Sequence, residues 1–107
     1  MNTQEFQKQV KPTNSLCGGC LNGKLTATYD KLVELLGNPD LETDTSKTDA
    51  EWTITFKKEI FAIYNWKNGK NYCGEFGDEI EDIIDWNVGG ENKEVAKELI
   101  ELIKSVN

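Results

Sequence analysis

Glu51-Trp52-Thr53-Ile54-Thr55-Phe56, then Lys57-Lys58-Glu59, then Ile60-Phe61-Ala62-Ile63-Tyr64-Asn65-Trp66 is the stretch whose reading decides the fold. Trp52, Ile54 and Phe56 alternate with Glu51, Thr53 and Thr55, the period of two that a half-buried strand requires. Residues 60–66 are rich in aromatic and β-branched side chains, and the short polar connection predicts an antiparallel hairpin. Because that connection has no Gly or Asn at its centre, a loop longer than two residues is expected. A third strand is predicted over residues 83–88, with Ile84, Trp86 and Val88 on one face and Gly89-Gly90 ending it.

Two helices complete the pattern. Thr28 can N-cap a helix in which Tyr29, Leu32, Val33 and Leu36 share a face, Asp30 suits the positive end of the helix dipole, and Gly37 and Pro39 supply the stop. Asn92 can cap a second helix reaching Ser105, with Val95, Ala96, Leu99, Leu102, Ile103 and Val106 as its apolar stripe. Residues 38–49, carrying Asp40, Glu42, Asp44 and Asp49, read as a solvated loop, and residues 68–82 as a loop or broken excursion. The expected fold is α+β, an antiparallel sheet of three to four strands with two helices packed on one face. Residues 1–13 have only Phe6 and Val10 as apolar anchors beyond Met1 and run into Lys11-Pro12-Thr13-Asn14-Ser15, so a flexible tail or edge arm is expected ahead of a single domain over residues 14–107.

With 107 residues the chain can build one core. Its 19 carboxylates against 12 lysines leave a net charge of -7, which disfavours nucleic acid and anionic membranes and suits a basic protein partner, although excess carboxylate also simply maintains solubility. There is no Arg, hence no guanidinium clamp for phosphate, and no His, hence neither the usual neutral-pH acid-base group nor the commonest metal ligand. No run approaches the roughly 20 apolar residues of a membrane span, and the first residues lack the apolar segment of a secretory signal. A cytoplasmic protein with reduced thiols is expected.

Thr28-Tyr29-Asp30-Lys31-Leu32 leading to Leu36-Gly37-Asn38-Pro39, Thr48-Asp49-Ala50-Glu51-Trp52, Ala62-Ile63-Tyr64-Asn65-Trp66-Lys67 and Trp86-Asn87-Val88-Gly89-Gly90 together resemble a family of small, mostly uncharacterised phage and prophage accessory proteins. The resemblance covers roughly residues 15–105 and departs from the family pattern at Cys17-Gly18-Gly19-Cys20 and after Asn68. It implies an accessory protein that binds and disables a component of the host cell, such as a CRISPR or nucleotide-signalling defence, and implies no chemical activity.

The chemistry-bearing residues are sparse. Cys17 and Cys20 are spaced like half a zinc site, but only Cys73 could add a third soft ligand, so a metal is a weak candidate beside a simple glycine turn. A thioredoxin-like pair would need a helix after the motif, where Leu21-Asn22-Gly23 stands. Asp78, Glu79, Glu81, Asp82 and Asp85 lack calcium-loop spacing and read either as a solvated face or as a partner-binding patch that imitates a phosphate backbone. Trp52, Phe56, Tyr64, Trp66 and Trp86 are expected in the core, which leaves Phe61 and Ile63 on an open face where a host protein or a second copy could dock. Gly89-Gly90 could offer N–H groups to an anion, but Glu91 opposes this. Ser15, Ser46, Ser105 and Cys73 have no base partner, so no catalytic residue and no cofactor are expected. A protein inhibitor with a basic target is the expected function. The rivals are a sponge for a signalling nucleotide, which would need Lys57, Lys58, Lys67 and Lys70 to converge, an uncharacterised structural phage protein and, least favoured, an enzyme.

Overall fold

The computed structural model describes residues 1–15, 17–40 and 48–106. Its elements in chain order are α1 (Thr3–Gln9), β1 (Val10–Pro12), β2 (Cys20–Thr26), α2 (Tyr29–Leu36), β3 (Glu51–Phe56), β4 (Glu59–Tyr64), α3 (Lys70–Cys73), β5 (Asp85–Gly90) and α4 (Lys93–Ser105). Two 3-10 turns, Gly74–Phe76 and Ile80–Asp82, interrupt the run from α3 to β5. The strands form one antiparallel sheet in the order β1-β3-β4-β5-β2. The α+β class is therefore as expected, with five strands among the described residues rather than three or four and four helices rather than two.

The two anticipated helices form for the anticipated reasons. Thr28 accepts the Lys31 N–H at 3.1 Å and Asn92 accepts the Val95 N–H at 3.1 Å, so each helix begins on a side-chain cap. The apolar stripes of α2 and α4 and the buried face of the sheet make one core. At its centre the Trp52 and Trp86 rings meet edge to face, with centroids 5.4 Å apart. Each indole N–H is satisfied, Trp52 donating to Gly37 O at 2.8 Å and Trp86 to Ala27 O at 2.9 Å.

The hairpin corrects the sequence reading. Its turn has only two residues, since Phe56 pairs with Glu59, and Lys57 and Lys58 take positive φ values of 52° and 66°. A one-residue change in loop length moves every side chain of the second strand to the other face. Phe61 and Ile63, expected on an open face, therefore pair with Ile54 and Trp52 and are fully buried. Tyr64 and Trp66, expected in the core, lie outside it, and Trp66 is 46% exposed. Left-handed geometry costs a non-glycine residue roughly 1–2 kcal/mol, while burying a side chain of the Phe or Ile type contributes about 1.5–3 kcal/mol. The other register would offer the core a methyl at Ala62 and a hydroxyl at Tyr64, so the strained turn is the better solution. Replacing Lys57-Lys58 by Asn-Gly is accordingly expected to stabilise the protein by about 1 kcal/mol in urea unfolding. An unchanged midpoint would contradict a left-handed turn here.

Of the tail and the edge arm expected for residues 1–13, the arm is what forms: Asn2 caps α1 by accepting the Glu5 N–H, Phe6 is 0% exposed, and Val10–Pro12 pairs with β3 at the sheet edge. Two corrections concern β5. Gly89 and Gly90 are the last two paired residues of β5 and not a stop after Val88; Gly90 faces Phe61 across the ladder, where a Cβ would stand 2.7 Å from the Phe61 ring. Ile84 precedes β5 and is exposed, while Ile83 takes the buried position. Of the expected acidic loop, Glu42 and Asp44 lie outside the described residues, as does Ser46.

Candidate functional site

Two surfaces gather polar and aromatic chemistry. The first is the excursion that leaves β4 and ends on the first residue of β5, residues 66–85. Its base is held by Asn65, which is buried. Asn65 Oδ1 accepts the N–H groups of Asp49 at 2.7 Å and Ala50 at 3.0 Å, and its Nδ2 donates to Asp49 Oδ1 and Asn68 Oδ1, both at 3.0 Å. Asp49 Oδ2 in turn accepts the Asn71 N–H at 3.2 Å, and the Asn71 amide donates to Thr48 O at 3.0 Å. Farther along, Asp78 N–H donates to Asn68 O at 3.0 Å, and Ile80 and Ile83 pack on the core.

Pinned at both ends, the excursion holds aromatic and acidic side chains in solvent. Phe76 is 88% exposed, and Tyr72, Ile84 and Trp66 are also exposed. Asp78, Glu79, Glu81, Asp82 and Asp85 are all exposed, so the five acids do lie along one excursion, with Lys70 paired to Glu79 at 3.4 Å. Lys67 Nζ sits 5.7 Å from the Trp66 ring centre and 5.2 Å from that of Tyr72. Exposed Phe76 has no signal in the sequence, because solvent exposure within an irregular segment follows no period.

The second surface is the sheet face opposite the helices. The chain must cross from edge strand β1 to edge strand β2, and residues 13–15 and 17–19 lie over this face. Gly19 has φ +88°, and a side chain there would run into the Gly90 carbonyl, so the crossing depends on glycine. Beneath it lies a groove of about 830 Å³, lined by Cys17, Asp40, Glu51, Thr53, Ala62, Tyr64 and Gly89 among others. Burial chiefly, and the nearby Asp40 charge next, hold the Glu51 carboxyl above the usual glutamate range. Burial also pushes the Cys17 thiol up; a hydrogen bond from the backbone of Ala62 works against this, and the charges of Glu51 and Glu91 reinforce it. A thiol kept protonated is a poor nucleophile.

Glu51 supplies a pH test. The native state holds its proton more tightly than the unfolded chain, so the carboxyl lowers stability as pH rises from the unfolded value through the native one. Glu51→Gln removes that loss. The variant is expected to melt higher than the parent at neutral pH, with the gap closing below the ordinary glutamate pKa of about 4.3. A gap that does not change with pH would contradict a desolvated Glu51.

The sequence motifs are only partly brought together. Cys17, Cys20 and Cys73 are free thiols, and among the described residues no group of three or more Cys, His, Asp or Glu could hold a metal ion. Cys17 Sγ lies 3.6 Å from Gly89 O, whereas Cys73 Sγ lies 3.2 Å from Lys67 O in the excursion. Phe61 and Ile63 are core residues and contribute no surface. Lys57 and Lys58 precede β4 while Lys67 and Lys70 follow it, so the four lysines do not converge. No protein-family model matches the chain, and neither does any curated protein or solved structure. No helix among the described residues is long and apolar enough to cross a membrane.

Proposed function

We propose that this chain is a non-enzymatic accessory protein that binds a basic host protein through the aromatic and acidic excursion, residues 66–85. The observation that carries the reading is Phe76, a large apolar side chain left 88% exposed beside Glu75, Asp78 and Glu79. An exposed aromatic gains its burial energy, about 1.5–3 kcal/mol, only on contact with a partner. Aromatic anchors with a charged rim are the usual composition of a contact surface. The resemblance of the sequence motifs to phage accessory proteins supports a partner in a defence of the host cell, a CRISPR effector being the most concrete version, and a cytoplasmic site of action. A nucleotide sponge is less well supported, since the lysines do not converge and the sheet-face groove is lined by Asp40 and Glu51.

Phe76→Ser separates binding from folding. Its stability is expected to stay within about 0.5 kcal/mol of the parent, because little is buried there. Affinity for the captured partner should fall about thirtyfold, the size of a contact worth roughly 2 kcal/mol. An unchanged affinity would remove Phe76 from the interface.

A further inference from the structure

The groove on the helix-free face shares no lining residue with the excursion, and its chemistry is different. We propose that it receives the guanidinium of an arginine side chain from a partner protein. Rows of side chains cross this face. Register places Glu51, Tyr64, Asn87 and Lys24 in one row, and Thr53, Ala62 and Gly89 in the next. The second row is small at its centre, where Ala62 and Gly89 are buried and the Cys17 thiol lies over them, 3.6 Å from Gly89 O and 3.7 Å from Ile60 O. A Cβ at Gly89 would stand 3.6 Å from Tyr64 Cε1, so the phenol ring flanks that row.

Two carboxylates share the groove. Asp40 Oδ2 accepts the Thr53 N–H at 3.0 Å, which leaves Oδ1 available, and the half-buried Glu51 carboxylate accepts no hydrogen bond from the described residues. Among the described residues no lysine lines the groove. Lys24, at the far end of the row, is already engaged with Asn87 Oδ1 at 2.7 Å.

An organic cation fits this charge, and three features select guanidinium over ammonium. Its planar fork can meet a carboxylate with two parallel hydrogen bonds, its flat face can stack on Tyr64, and it sheds water more easily on entering a half-buried site. The aliphatic stem would lie against Thr53 and Cys17, which also line the groove.

The test titrates the full chain with N-acetyl-arginine methylamide, following backbone amide resonances. The lysine and citrulline counterparts serve as the ammonium and uncharged probes. Saturable shifts at Glu51, Thr53, Tyr64 and Gly89 are expected, with affinity for both counterparts lower by about tenfold or more, as loss of a charge-assisted bidentate contact implies. Glu51→Gln should weaken arginine binding to a similar degree while melting no lower than the parent, so loss of fold cannot mimic loss of binding. Glu101→Gln, on α4, should bind as the parent does. Equal binding of citrulline, lysine binding as tight as arginine, parental affinity in Glu51→Gln, or unsaturable shifts would each overturn the proposal. The excursion reading would survive any of these results, since Phe76→Ser tests it separately.

Discussion

Phe6→Ala is expected to cost about 3–5 kcal/mol, the usual range for truncating a fully buried phenylalanine. Domains of this size are stabilised by only about 5–15 kcal/mol in total, so the variant should be largely unfolded under mild denaturant. The side chain is 0% exposed, and the helix carrying it does more than cover the core. Gln7 Nε2 lies 3.3 Å from both Glu34 O and Leu35 O, so α1 supplies a donor to the last carbonyls of α2, which have no partner within their own helix. Urea unfolding of parent and variant measures the loss. A change below about 1 kcal/mol would mean that the first residues are the loose tail their composition suggests.

The second large effect is expected at Asn65. Asn65→Ala deletes four hydrogen bonds and strands the N–H groups of Asp49 and Ala50, which both point at Asn65 Oδ1. Each buried group left without a partner costs about 1–3 kcal/mol, so a total near 3 kcal/mol or above is expected. The damage should be local first, because Asp49 also receives the Asn71 N–H at the start of the excursion. Amide exchange at Asn71, Cys73 and Asp78 should accelerate more than exchange within β3 and β4. Uniform acceleration would instead indicate that Asn65 supports the whole sheet and not the excursion in particular.

These two residues also mark where sequence reasoning stops. α2 and α4 were legible because each has a side-chain cap and an amphipathic stripe, local signals that tertiary packing reinforces. α1 has seven residues and one buried side chain, below the length at which a helix announces itself, and it forms by docking on α2. β3 was legible from its alternation, whereas the face of β4 depended on the parity of a turn whose residues favour neither length. The exposed acids at Asp78, Glu79, Glu81, Asp82 and Asp85 could be picked out as a cluster. Phe76 could not, and the groove could not, because it is assembled from four strands and a crossing connection that only the sheet order brings together.

If the excursion is a protein-binding surface, the chain should capture a host protein from a cell lysate. Parent chain is compared with Phe76→Ser and with a variant in which Asp78 and Asp82 become Asn and Glu79 and Glu81 become Gln. The account predicts one basic partner, bound by the parent, lost with both variants while their folds stay intact, and released progressively by salt. A partner retained by both variants, or no partner captured by the parent, would contradict it.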